Sequence, residues 1–295
     1  MDAGRARTVH ALDAHGPAPV SDFEDYTSTS CVYDATRSAI GVEIILGCLA
    51  RARPLSDTVL LDAGCGTGNY AAALLPHVAR VVGVDLNPGM LRAARLKLAS
   101  AIAAGRAELH QGDLAHLPLV TASVDGVMVN QVLHHLPGGE ADDWASRRLV
   151  LAEFARVLRP GGVLVINACM PEQIRDGWWC FALIPGAVER LCARHPDANT
   201  YARLLREAGF SARGRMVPVD AVVQGEHYFD SHGPEHKAWR DGDSTWALAS
   251  AQELEQALAT LADLHARGRA QDFVREHDAQ REQIGQVTFL YAVRP

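Results

Sequence analysis

From Val59 to Asn69 the chain reads Val-Leu-Leu-Asp-Ala-Gly-Cys-Gly-Thr-Gly-Asn. A β-branched and leucine run ending in a carboxylate has the make-up of a strand buried in a parallel sheet. Glycines at alternate positions, Gly64, Gly66 and Gly68, follow at once, so the backbone can turn sharply and lie flat against a ligand. The ligand is expected at the carboxyl end of that strand. The spacing also bears on its chemistry. A dinucleotide loop wants Gly-x-Gly-x-x-Gly, its third glycine allowing helix to pack on strand. Counted from Gly64 that position is Asn69, which weakens a pyrophosphate reading.

Strand and helix patterns alternate from Thr58 to Ile166, which implies a parallel sheet with right-handed crossovers. Val81 to Asp85 forms a second apolar strand whose terminal acid lies about 20 residues past the first glycine, where a carboxylate can accept both ribose hydroxyls. Asn87-Pro88 then starts a helix with an N-cap and a first-turn proline, turning Leu91, Ala94, Leu98 and Ile102 inward. A third strand ends at Gln111-Gly112-Asp113-Leu114, and Val124 to Asn130 makes a fourth, followed by Gln-Val-Leu-His134-His135. The next helix, Asp143 to Leu158, buries Val150, Phe154, Val157 and Leu158 before Pro160-Gly161-Gly162 stops it ahead of a fifth strand reaching Ile166.

These blocks, in this order, resemble the class I S-adenosylmethionine-dependent methyltransferases of the type 11 kind, closely over Thr58 to Ile166 and topologically over Ser21 to Val293. The resemblance implies an α/β fold: a Rossmann-like, mostly parallel seven-stranded sheet with helices on both faces, an N-terminal helical cover and a helical insertion before the last strand. It implies S-adenosyl-L-methionine as cofactor and methyl transfer to an O, N or C atom of a small-molecule substrate. On that resemblance Asp62 and the loop of Gly64, Cys65, Gly66 and Gly68 hold the methionine moiety, and Asp85 anchors the ribose. Leu86 and Leu114 wall the adenine, Gly112 and Asp113 meet its amino edge, and Asn130 stands where the methionine end meets the acceptor. Tyr26 and Tyr33 match an N-terminal aromatic folded over the cofactor, where a π face suits a sulfonium; a tyrosine packed on the sheet explains them equally well. Asp113 is also compatible with an ordinary turn.

Outside this core the organisation is as follows. Residues 1–20 have no periodicity and are expected to be a mobile tail. A cover spans 21–57, with a capping box at Ser21 to Glu24 and a helix from Asp34 to Arg51. The cofactor core covers 58–170. Lid helices, the last strands and an insertion over 221–284 fill 171–295 of the same domain. Within it we expect a helix reaching about Arg194, another from Asn199 to Ala208, strands Arg213 to Val219 and Gly285 to Val293, a helix capped by Ser250-Ala-Gln-Glu253, and one from Ala270 to Gln283.

Methyl transfer from a sulfonium is an in-line displacement that needs alignment and dryness rather than a metal or covalent nucleophile. His134 and His135 are candidates for a general base, since an imidazole titrates near neutrality, with Tyr33 as a further catalytic candidate; against this stands the favoured reading of the two histidines as structural. Trp178, Trp179, His227, Tyr228, Asp243 and Trp246 are candidates for acceptor recognition, set against simple burial in a helical lid. A net charge of -7 argues against a nucleic-acid partner. No apolar run reaches the roughly 18 residues of a membrane span, and residues 1–20 carry Asp2 and Asp13 without an apolar h-region, so export is not expected. Six cysteines without a C-x-x-C pair point to free thiols in the cytoplasm and no metal site. Arsenic chemistry is disfavoured because the fourth-strand block holds Asn130-Gln-Val-Leu-His and not cysteine, although Cys169 and Cys180 lie further on. Two alternatives stay open: cyclisation of the cofactor with release of methylthioadenosine, and a non-catalytic cofactor-binding scaffold. The oligomeric expectation is a monomer or homodimer.

Overall fold

The computed structural model describes residues 39–295; the expected tail, the Ser21 to Glu24 cap, Tyr26 and Tyr33 lie outside them. Among the described residues seven strands form one sheet. They are β1 Val59–Ala63, β2 Arg80–Asp85, β3 Ala107–Gln111, β4 Val124–Asn130, β5 Leu158–Ala168, β6 Ser211–Met216 and β7 Thr288–Val293, in the order β3-β2-β1-β4-β5-β7-β6. β1 to β5 pair in parallel, while β7 runs antiparallel to both β5 and β6. The chain turns from one half of the sheet to the other at β1, which is flanked by β2 and β4. In open α/β sheets such a switch point leaves a crevice beyond the carboxyl ends of the strands.

Alternation along the strands loads both faces. Leu60, Met128, Val163 and Val165 join one core, with Ile45, Leu49 and Trp179. Leu61, Val127, Leu164 and Ile166 join the other, with Phe154, Tyr201 and Leu204. The first helix, α1 Val42–Leu49, covers β4 so closely that a Cβ on Gly126 would come within 2.3 Å of Leu49. It is shorter than the expected Asp34 to Arg51. Gly41, in the left-handed region at φ 64°, starts it against the Phe289 ring.

After the glycine loop come α2 Asn69–Leu74, α3 Pro88–Lys97 and α4 Ala99–Ala103. Asn87 caps α3 as its sequence position foretells, accepting from the N–H groups of Gly89 (2.7 Å) and Met90 (3.2 Å). α5 Ala145–Val157 lies within the expected range and starts late because Asp143 and Trp144 take left-handed conformations. Beyond β5 follow α6 Pro171–Asp176, α7 Pro185–Cys192 and α8 Ala198–Glu207. The insertion between β6 and β7 holds α9 Lys237–Arg240, α10 Ser244–Ala247, α11 Ala251–Ala266, α12 Ala270–Asp278 and α13 Arg281–Ile284. None of the described helices is long and apolar enough to cross a membrane.

Three boundaries differ from expectation. The helix expected over Ala270 to Gln283 is divided into α12 and α13, because the Asp278 carboxylate turns inward to accept from Tyr228 Oη (2.6 Å) and Arg281 Nε (2.9 Å). β6 starts at Ser211 and ends before Pro218, which has no N–H to give a ladder. β7 begins only at Thr288. Gly285 (φ 66°) turns the chain, and the Gln286 side chain bonds Val223 N–H (2.8 Å) and Gly177 carbonyl (3.3 Å).

Candidate active site

The crevice at the switch point is one bent cavity with two arms that share Gly64, Gly66, Asn130, Gln131 and His135. One arm runs over the tips of β2 and β3, along Asp85, Leu86, Gly112, Asp113 and Leu114. The other runs over β4 and β5 towards the insertion, along Asp62, His134, Asn167, Trp178, His195 and Asp243.

The loop after β1 is shaped by the constraints its glycines satisfy. Gly64 (φ 74°) donates to Val84 carbonyl at 2.7 Å, and a Cβ there would lie 2.5 Å from Val132. Gly66 (φ 52°) has nothing within 4 Å of where a Cβ would stand, so its backbone is open to the cavity. Cys65 packs its sulfur beneath Gly83 and also lines the cavity. Gly68 differs from the expectation that all three glycines face the ligand. It stands at the N-cap of α2 with φ 81°, its missing side chain making room for Leu98 and Ala94, and it is absent from the cavity wall.

One buried and one half-buried carboxylate set the electrostatics. Asp85 accepts from Gly66 N–H on one oxygen and Asn87 N–H on the other, both at 2.8 Å; burial nonetheless raises its pKa. Asp62 is 2 % exposed and its Oδ2 has no hydrogen-bond partner. Burial, and then the neighbouring Asp85 charge, push the Asp62 carboxyl up to about 7. Neither arm has a lysine or arginine among its described lining residues. Asn130, at the join of the arms, has both amide atoms buried without a partner. An orphan acceptor, an orphan amide and an open backbone cradle on an acidic wall fit a ligand that brings an ammonium and a sulfonium.

In the nucleoside-sized arm, Gly112 N–H donates to Asp85 carbonyl (3.1 Å), while Asp113 caps the turn Leu114–His116 through Ala115 N–H (2.9 Å). Leu86 and Leu114 both line that arm.

The other arm holds a row of imidazoles. His134 and His135, on the short turn Leu133–His135, have ring centres 3.9 Å apart, and His134 stacks on His195 at 4.7 Å. Nδ1 of His195 donates to Leu191 carbonyl at 3.0 Å, which leaves the Nε2 lone pair available, and burial lowers its pKa to about 4. Opposite runs a polar chain: Tyr70 Oη donates to Ile40 carbonyl (3.1 Å), Asn167 Nδ2 to Tyr70 Oη (3.1 Å), and Gln131 Nε2 to Asn167 Oδ1 (3.2 Å). Gln131 has φ 53°, a conformation that side chains usually avoid and that gathers at functional sites.

Of the aromatic and polar residues expected around an acceptor, the structure brings two to the cavity. Trp178 lines it, stacked on Phe181 at 5.0 Å, and so does Asp243, which caps α10 through Thr245 N–H (2.9 Å). The other four stand elsewhere. Trp179 and Tyr228 are fully buried away from the wall: Trp179 Nε1 donates to Tyr228 carbonyl (2.6 Å), and its backbone N–H to Tyr228 Oη (3.0 Å). Trp246 packs edge-on against Trp239, and His227 is exposed, its carbonyl accepting from Trp239 Nε1. Sequence reasoning missed His195, Gln131, Asn167 and Tyr70. Only Asn167 carries a signal, a polar residue interrupting an apolar strand in register with Asn130.

Comparison with known proteins agrees with this geometry. A methyltransferase-domain family model matches residues 61–166. A protein of Mycolicibacterium smegmatis named as an S-adenosylmethionine-dependent methyltransferase is 31% identical over 241 residues, 80% of this chain and 81% of that one. An O-methyltransferase of Pyrenophora dematioidea is 28% identical over 169 residues, 55% of this chain and 57% of its own length. Among solved structures, a methyltransferase of an antibiotic biosynthesis pathway from Anabaena variabilis superposes with a TM-score of 0.68 at 20% identity, covering 88% of this chain and 98% of that one. The chain belongs to the class I S-adenosylmethionine-dependent methyltransferases, and S-adenosyl-L-methionine is its cofactor.

Proposed function

We propose that this protein transfers a methyl group from S-adenosyl-L-methionine to an O, N or C atom of an uncharged small metabolite, leaving S-adenosylhomocysteine. The observation that carries the reading is a pair of cavity acids, buried Asp62 with an unpartnered oxygen and half-buried Asp85, on walls without a described cation. Such a wall favours a cationic ligand and gives an anionic acceptor no counter-charge.

The bound sulfonium supplies an already activated methyl group, so the chain's residues have to grip, orient and exclude water. Asp85 takes the ribose hydroxyls; each oxygen keeps a lone pair beyond the one engaged by Gly66 or Asn87. Leu86 and Leu114 clamp the adenine, with Gly112 and Asp113 at its edge. Asp62, Asn130 and the backbone of Gly64 to Gly66 take the methionine end, and Gly68 acts at one remove by setting α2. Residues 58–170 thus hold the cofactor, and 171–295 supply the acceptor wall through Trp178, Phe181 and Asp243. For a hydroxyl acceptor, the C–O bond forms as the S–C bond breaks and the hydroxyl proton leaves to a base. We assign that role to His195 Nε2 or His135, which flank His134 at ring-centre distances of 4.7 and 3.9 Å. The five described cysteines are free, which supports a cytoplasmic setting.

Calorimetry with S-adenosylmethionine and S-adenosylhomocysteine tests the first half. Both should bind, and Asp85→Ala should weaken binding about hundredfold, the worth of two charge-assisted hydrogen bonds. Mass spectrometry tests the second. With cofactor alone no methylthioadenosine should form, and homocysteine-type product should appear when a neutral metabolite pool is added. Methylthioadenosine without an acceptor would replace this reading with cofactor cyclisation.

A further inference from the structure

On the outer side of the insertion, away from the cavity, His232, Glu235 and His265 bring three ligand atoms within 4.8 Å of one another. His232 Nδ1 lies 3.1 Å from Glu235 Oε2, and His265 Nε2 lies 3.6 Å from Glu235 Oε1. Nε2 of His265 also donates to the Ser231 carbonyl at 3.2 Å, a proton that a bound ion would replace. Two imidazoles and a carboxylate therefore converge from two elements, the turn at Gly233–Glu235 and the last turn of α11. We propose that His232, Glu235 and His265 form a binding site for a borderline divalent cation, with zinc as the ion of reference.

The spacing matches the chemistry. Tetrahedral zinc with bonds of about 2.0–2.1 Å holds neighbouring ligand atoms about 3.3 Å apart; His232 Nδ1 lies 3.1 Å from one Glu235 oxygen and His265 Nε2 3.6 Å from the other, so a small turn of the carboxylate sets one oxygen against both nitrogens. The imidazole rings now stack in parallel, 3.7 Å apart and 7° from coplanar. Closing the third edge needs one ring to tilt, and His232, with a side chain 56% exposed, is the freer of the two. The backbone behind the ligands is fixed. Asp230 Oδ1 accepts from His232 N–H (2.9 Å), Arg240 donates to Pro234 and Glu235 carbonyls (2.6 and 3.1 Å), and Gln271 Nε2 donates to Ser231 Oγ (3.1 Å). Gly233 lies on the face of Trp239, where a Cβ would be 2.6 Å from the indole nitrogen. An imidazole–carboxylate donor set favours zinc over magnesium or calcium, which take oxygen ligands. A bound ion ties the turn before α9 to α11, and so braces the chain that leads into the cavity-lining Gly242 to Thr245.

The test is calorimetric titration of the full chain, freed of metal, with zinc chloride and separately with magnesium chloride. We expect one zinc per chain, no saturable heat with magnesium, and a rise in Tm with zinc. His232→Gln and Glu235→Gln, both at exposed positions and checked for native circular dichroism, should each weaken zinc binding at least about tenfold. Absence of saturable zinc binding overturns the proposal. So does zinc binding that both substitutions leave unchanged, because that places the ion on other groups such as the thiols. Cofactor binding does not enter this measurement, so the proposal stands or falls apart from the methyl-transfer reading.

Discussion

A carboxyl held at a pKa of about 7 by burial and by the Asp85 charge stays protonated in the native state at pH values where the unfolded chain has lost its proton. Between about pH 4 and 7 the native protein thus binds more protons than the unfolded one, so stability without cofactor falls as pH rises through that window. The penalty at full ionisation is on the order of a few kcal/mol. An ammonium ligand reverses the preference, because it needs Asp62 ionised. Binding of S-adenosylmethionine should therefore strengthen as pH rises from 6 to 8, and Asp62→Asn should flatten both the stability profile, followed by urea unfolding, and the binding profile. Unchanged profiles in the variant would assign the titration to another group. Asp62, Asp85 and the glycines were legible in the sequence because a carboxylate or glycine in an apolar strand or just beyond it costs stability unless something uses it. His195 was not legible, since its stacking on His134 arises only when the end of α7 packs beside the turn after β4. The aromatic candidates divide for a related reason. Trp178 and Trp179 are neighbours of equal hydrophobicity, and the one that lines the cavity differs from the other in that Trp179 is tied to Tyr228 by two hydrogen bonds.

At the level of elements, strand identity was more legible than helix ends. Apolar runs bounded by turn residues locate β1, β2, β4 and β5, whereas α12, β6 and β7 are trimmed or divided by side chains that leave the local pattern for distant partners, as Asp278 and Gln286 do. Arg147 shows how much such a tie can hold. It is fully buried on α5 and donates through Nη1 to the Pro137 and Gly138 carbonyls (2.6 and 2.9 Å) and through Nη2 to the Arg194 carbonyl (3.1 Å). It thereby joins the segment after His135 to the residue before His195. Burial lowers its pKa, yet a guanidinium remains charged at any working pH. Arg147→Met keeps most of the volume and leaves three carbonyls without their donor. We expect a loss of roughly 2–4 kcal/mol in urea unfolding, together with impaired methyl transfer at little cost to cofactor affinity, because α5 and Arg194 lie outside the nucleoside arm.

Across the whole molecule the proposed function divides the chain into a cofactor floor on the sheet and an acceptor wall from residues 171–295, and ligand linkage can separate these two contributions. A ligand that binds only the native state stabilises by about 2.7 kcal/mol at a free concentration one hundredfold above Kd. For a chain of 295 residues that corresponds to a Tm rise of roughly 4 °C. Asp85→Ala should lose most of that rise, with a lowered Tm of the free protein as well because Gly66 and Asn87 N–H lose their acceptor. Tyr228→Phe should separate the two effects. Its hydroxyl accepts from Trp179 N–H and donates to Asp278, so removing it leaves two buried groups short of a partner and lowers the Tm of the free protein, about 1–3 kcal/mol in stability. The rise on adding S-adenosylmethionine should remain, because Tyr228 is walled off from both arms of the cavity. A Tyr228→Phe protein that unfolds at the normal temperature but no longer responds to cofactor would move Tyr228 from the core of the insertion into the binding site, and the division between floor and wall would have to be redrawn.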